Sequence, residues 1–91
     1  MEPGEEQSWT TRAADLATES TVMRQVIEVH PVLLTLAELV REIAGDGAGF
    51  AERDAIERAV RDLGRFGLLH QQGELVLPTR AALHFSELLA S

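Results

Sequence analysis

No cysteine occurs in the chain, so disulfide frameworks and thiolate metal sites are excluded; the absence is neutral on compartment and agrees with the cytoplasmic location expected. No apolar run approaches the roughly 18 residues a membrane span needs. The N-terminal stretch MEPGEEQSW carries acids where a signal peptide would carry basic and then apolar residues. Positive charge is also scarce: eight basic residues stand against fifteen acidic ones, for a net charge of −7. The usual electrostatic footprint of a nucleic-acid-binding domain is basic, so this balance opposes such a role. Its distribution softens the conflict, because Glu2, Glu5, Glu6, Asp15 and Glu19 crowd the first twenty residues against Arg12 alone. All eight bases are arginine, a side chain suited to phosphate forks and base edges.

What is present is enough for one packed domain. Ninety-one residues with 45% apolar side chains make a single core in a chain that buries roughly 60 to 65% of its unfolded surface. Residues 1 to 10 are expected to be a disordered acidic tail, with Trp9 anchoring it, and residues 11 to 91 the folded domain. An alanine-rich segment over 12 to 18 predicts a short helix. A second helix from Ser20 to Val29 shows a wide apolar stripe through Val22, Met23, Val26, Ile27 and Val29, ended by Pro31. Leu33-Leu34 reads as the stub of a strand. Thr35 and Glu38 have the spacing of a capping box for a helix that buries Leu36, Leu39, Val40 and Ile43. Gly45 to Gly49 then forms a turn between helices.

The segment from Phe50 to Thr79 organises the rest. Ile56, Ala59, Val60 and Leu63 repeat at helical spacing, Phe66 extends that face, and Gly67 ends the helix. Leu68-Leu69 and Leu75-Val76-Leu77 flank His70-Gln71-Gln72-Gly73-Glu74 as a β-hairpin. Pro78 closes it and Thr79 caps a last helix, expected to bury Ala82, Phe85 and Leu89 or a stripe through Ala81 and Leu88.

Helix, hairpin and Thr-capped helix in the phrase AVRDLGRFGLLHQQGELVLPTRAAL resemble the back half of the winged helix-turn-helix family. The resemblance covers about three quarters of the chain and speaks to fold before function. It implies a mostly α domain with a small β-hairpin (α+β), a three-helix core with a wing and a C-terminal helix, and a transcriptional regulator whose helix 51–66 enters the DNA major groove. Arg58 and Arg61 would read or grip duplex DNA, Arg65 would reach the backbone, and Gln71 and Gln72 at the wing tip would touch an adjacent groove. Arg53 belongs to the same DNA-binding set. On a helical wheel Asp54, Arg58, Arg61 and Arg65 stand opposite the core positions.

A plainer account of that helix is a solvated face stitched by i,i+4 pairs, Asp54 with Arg58, Glu57 with Arg61, Arg58 with Asp62 and Arg53 with Glu57. Its four acids and four arginines balance. The alternative function is therefore an acidic winged-helix module for protein contacts without DNA binding. A homodimer is expected through the first and last helices, using Val22, Met23, Val26, Ile27 and Leu83.

Other chemistry is dismissed on pattern. The GDGAG segment lacks the Lys-Ser/Thr of a phosphate loop and follows a helix instead of a strand. The Asp46-to-Glu57 spacing imitates an EF-hand, but Ala48 and Phe50 supply no oxygen ligands and Ala51 stands where glycine is required. His30, His70 and His84 share no ligand spacing, so no metal is expected. No nucleophile motif appears, so neither an enzyme nor a cofactor is expected.

Overall fold

The computed structural model describes the backbone from Pro3 to Ser91 and the side chains from residue 11 onward. The expectations of a disordered tail over residues 1 to 10 and of a Trp9 anchor lie outside the fully described residues. Four helices and three short strands follow in the order α1 (Pro3–Val29), β1 (Leu34–Thr35), α2 (Leu36–Ala44), α3 (Phe50–Arg65), β2 (Leu69–Gln72), β3 (Leu75–Pro78) and α4 (Arg80–Ala90). The fold is mostly helical with one small antiparallel sheet in the order β1-β3-β2. Among the described residues no helix is long and apolar enough to cross a membrane.

One helix replaces the two expected before Pro31. Nothing between Ala14 and Thr21 breaks a helix, and the polar side chains there bond within it. The hydroxyls of Thr18 and Thr21 donate to the carbonyls of Ala14 and Ala17 at 3.0 and 2.9 Å, a back-bonding that lets threonine remain inside a helix.

Local chemistry sets the later boundaries. The amide of Glu38 donates to Thr35 Oγ1 at 3.1 Å and the amide of Thr35 donates to Glu38 Oε1 at 3.0 Å, the reciprocal pairing of a capping box. At the other end of α2, Gly45 takes φ 86° and its amide reaches the Arg41 carbonyl. Helix α3 closes in a Schellman motif: Gly67 has φ 79°, its amide bonds the Gly64 carbonyl, and the Leu68 amide bonds Leu63. Phe66 stands at that turn and is exposed. It does not extend the buried face as its spacing suggested, because the chain reverses before another helical turn is made.

The hairpin is tighter than the sequence suggests. His70, Gln71 and Gln72 are paired residues of β2, opposite Leu77, Val76 and Leu75, and only Gly73 and Glu74 form the reversal. Gly73 has φ 62° while no non-glycine residue has positive φ, which identifies a type II′ turn, the form whose twist matches a two-residue hairpin. Leu34 and Thr35 of β1 pair with Val76 and Leu75 on the other edge of β3, one residue later than the Leu33-Leu34 stub predicted.

The core runs through α1, α2, α3 and the sheet: Val22 and Val26 of α1, Leu39 and Val40 of α2, Ile56, Val60 and Leu63 of α3, with Leu34, Leu69 and Val76 from the strands. No polar residue is buried among the described ones. Helix α4 contributes far less than expected, since only Ala82 is buried while Phe85, Leu88 and Leu89 are exposed. The helix is instead held at its base. Thr79 Oγ1 accepts from the Ala82 amide at 3.2 Å and donates to the Gly67 carbonyl at 2.7 Å, and the Thr79 amide donates to Leu68 at 3.1 Å.

Candidate nucleic-acid interface

Helix α3 presents its four arginines in different settings. Arg58 leans to one edge, toward α1, where its Nη2 donates to Asp15 Oδ1 at 3.4 Å. Glu19, Asp62 and the small side chains of Ala55 and Ala59 line the same narrow cleft. Arg65 pairs one turn back with Asp62 at 3.6 Å. Neither Arg53 nor Arg61 has an ion pair among the described residues. The expected i,i+4 ladder along α3 is not formed; its place is taken by a cross-helix pair and an i,i+3 pair, because α1 brings an acid to the edge from which Arg58 extends.

The other edge of α3 faces α2 and the hairpin across an open groove. Arg53 and Glu57 line it from α3, Arg41 from α2, and Gln71 and Glu74 from the hairpin, with Asp46 at the interhelical turn. Arg41 Nε meets Asp46 Oδ1 at 3.6 Å with both side chains largely exposed. The structure thus brings Gln71 and Arg53 together, keeps Gln72 exposed on the last position of β2, and sends Arg58 to the opposite side of α3. Two arginines face three carboxylates in the groove, so it is not a continuous positive strip. No family model, no curated protein and no solved structure matches the chain. The functional reading therefore rests on the residues themselves.

Arg41 and Asp15 are the site residues that sequence pattern does not disclose. Arg41 lies in the last turn of α2, and only the fold turns that end toward the β2–β3 hairpin. Asp15 and Arg58 are 43 residues apart, and their meeting requires α1 to continue through Ser20. Among the described residues no three potential ligands gather as a metal site.

The acids beside Arg58 leave an electrostatic signature. Glu19 has its carboxyl raised above the ordinary value, first by desolvation against α3, then by the negative charges of Asp62 and Asp15, with Arg12 opposing. A raised carboxyl means that the folded chain holds the proton more tightly than the unfolded chain. Ionised Glu19 therefore costs stability above its folded pKa, and that cost disappears as pH falls below the unfolded value. Replacing Glu19 by glutamine is expected to raise the melting temperature at pH 7 and to have no benefit near pH 4. Thermal melts at the two pH values check this; a lower melting temperature at pH 7 would show that attraction to Arg12 outweighs the desolvation.

The four core dimer candidates on α1 separate into two groups. Val22 and Val26 expose 0% and 2% of their surface and belong to the interior, which corrects their assignment to an interface. The stripe was wide because it serves two faces: Met23 and Ile27, half-buried, stand at the edge of an open groove toward α4. Leu83 is half-buried on α4 and does not line that groove.

Proposed function

We propose that the chain is a winged helix-turn-helix protein, a cytoplasmic regulator that binds duplex DNA with α3 in the major groove and the β2–β3 hairpin as its wing. The observation that carries this reading is the arrangement of elements around α3. A two-residue strand before α2 pairs with β3, and the hairpin follows α3 through a closed Schellman turn. The wing consequently lies beside α3, with Arg53 and Gln71 lining the same groove. Arg53 and Arg61 are the arginines available for phosphates or guanine edges, since Arg58 is engaged by Asp15. No reaction and no cofactor are assigned.

A second reading has its own support. The groove holds more carboxylates than arginines and the chain carries a net −7, which suits a winged-helix module docking on a protein partner. Fluorescence anisotropy with a random-sequence duplex, repeated across a salt series, separates the two. DNA binding is expected to weaken linearly in log affinity against log salt, with a slope of about −2 to −3 for two or three phosphate contacts. Absence of binding at 50 mM salt would sink the DNA reading and leave the protein-docking one.

A further inference from the structure

Helix α4 is under-supported by the chain it belongs to. It has eleven residues and one buried side chain, Ala82, whereas isolated helices shorter than roughly 12 to 15 residues are marginal in water and depend on a packed face. Its apolar residues point elsewhere: Phe85 is 57% exposed, Leu88 58% and Leu89 72%. Between α4 and α1 lies an open groove of about 600 Å³, floored by Leu68, with Phe85 and Leu89 on one wall and Met23 and Ile27 on the other. Leu16, also exposed, continues the α1 wall at helical spacing. At on the order of 100 Å² each, Leu16, Phe85, Leu88 and Leu89 expose roughly 400 Å² of apolar surface, a size that on a small monomer often marks an interaction site.

We infer that this groove is the two-fold interface of a homodimer, with α4 of each copy seated against α1 of the other. Charge selects the second copy over another occupant. Of the chain's acidic excess almost none is here: the ionisable groups lining the groove are Arg24 and Glu28, one of each sign, so a strongly basic or acidic partner finds nothing to match. The two are also self-complementary. They stand four apart on α1 in the order Arg then Glu, the weaker order for a pair within one helix, and Arg24 Nη2 turns instead to Ser20 Oγ at 3.0 Å. Among the described residues neither has an ion pair. A two-fold axis level with Val26 sets antiparallel α1 helices side by side and brings Arg24 of each copy to Glu28 of the other, so the contact closes without a free edge.

The test needs no DNA, and its outcome is independent of the DNA reading. Sedimentation velocity of the full chain at tens of micromolar is expected to give about twice the 10.0 kDa chain mass. Phe85→Glu and, separately, Leu89→Glu are expected to give the monomer mass with the helical circular dichroism of α1 to α3 retained and any loss confined to the eleven residues of α4, because neither side chain is in the monomer core. Arg24→Glu alone and Glu28→Arg alone each set like charges opposite one another twice, and are expected to weaken the dimer at least about tenfold. Mixing these two variants restores opposite charges at both contacts and is expected to return the parent affinity as a heterodimer. A parent that stays monomeric to 100 µM, a larger assembly instead of a dimer, or folded glutamate variants that remain dimeric would overturn the interface; a mixture that fails to recover would overturn the two-fold pairing.

Discussion

Replacing Leu39 with alanine is expected to lower the unfolding free energy by about 2 to 5 kcal/mol, the range for removing a large aliphatic side chain from a packed core. Leu39 is fully buried and is the largest side chain so enclosed. It lies on α2, and the cluster to which it belongs draws on all three core helices and the sheet. Removing three heavy-atom groups there opens a cavity that the surroundings refill only in part. In a domain whose total stability is on the order of 5 to 15 kcal/mol, the variant loses a large share of its margin. Urea denaturation checks this: the midpoint should fall with the slope unchanged. Leu36 on the same helix is only half-buried, and its alanine variant should lose clearly less. Equal losses at the two positions would mean that the packing is not centred where the structure puts it.

On the proposed DNA-binding reading, changing Arg53 and Arg61 together to alanine is expected to damage DNA binding while sparing the fold. Both side chains are exposed, neither has an ion pair among the described residues, and alanine is at least as good a helix former as arginine. Each loss should reduce affinity by about 1 to 3 kcal/mol where the arginine meets a base, or reduce the salt slope by about one where it meets phosphate. Base contacts make the loss depend on the DNA sequence; phosphate contacts weaken every duplex alike. Arg58→Ala supplies the contrast. It breaks an exposed pair with Asp15, worth under about 1 kcal/mol after solvent screening, and should leave DNA affinity nearly unchanged. If Arg58→Ala weakens binding as deeply as the double variant, Arg58 leaves Asp15 to reach DNA and the assignment of contacts is wrong.

The elements legible in the sequence were those announced by backbone chemistry. Thr35 with Glu38, Gly67, Gly73, Pro78 and Thr79 each perform a local task that requires that residue type, so helix ends and the reversal of the hairpin were placed closely. The α3 core face was legible for a related reason: four apolar residues on one face of an otherwise charged helix admit one orientation. Periodicity failed on α4, where Phe85 and Leu89 repeat at core spacing yet remain exposed. An apolar stripe records that a face is to be covered, and says nothing about which chain covers it. It failed again on α1, where the stripe was too wide for one face and its two halves, Val22/Val26 and Met23/Ile27, had to be divided by the fold. The site was the least legible part. Sequence placed Arg58 and Arg61 together on an outward face, but distance along α3 does not reveal that an acid from α1 stands beside only one of them.

Thr79 joins more than its position in the chain suggests. One hydroxyl donates to the last turn after α3 and accepts from the first turn of α4, and the amide beside it is tied to Leu68. No slack segment separates these elements, so α4 cannot pivot without pulling on the root of the hairpin. One residue thus fixes both where α4 begins and where the chain leaves α3 for β2.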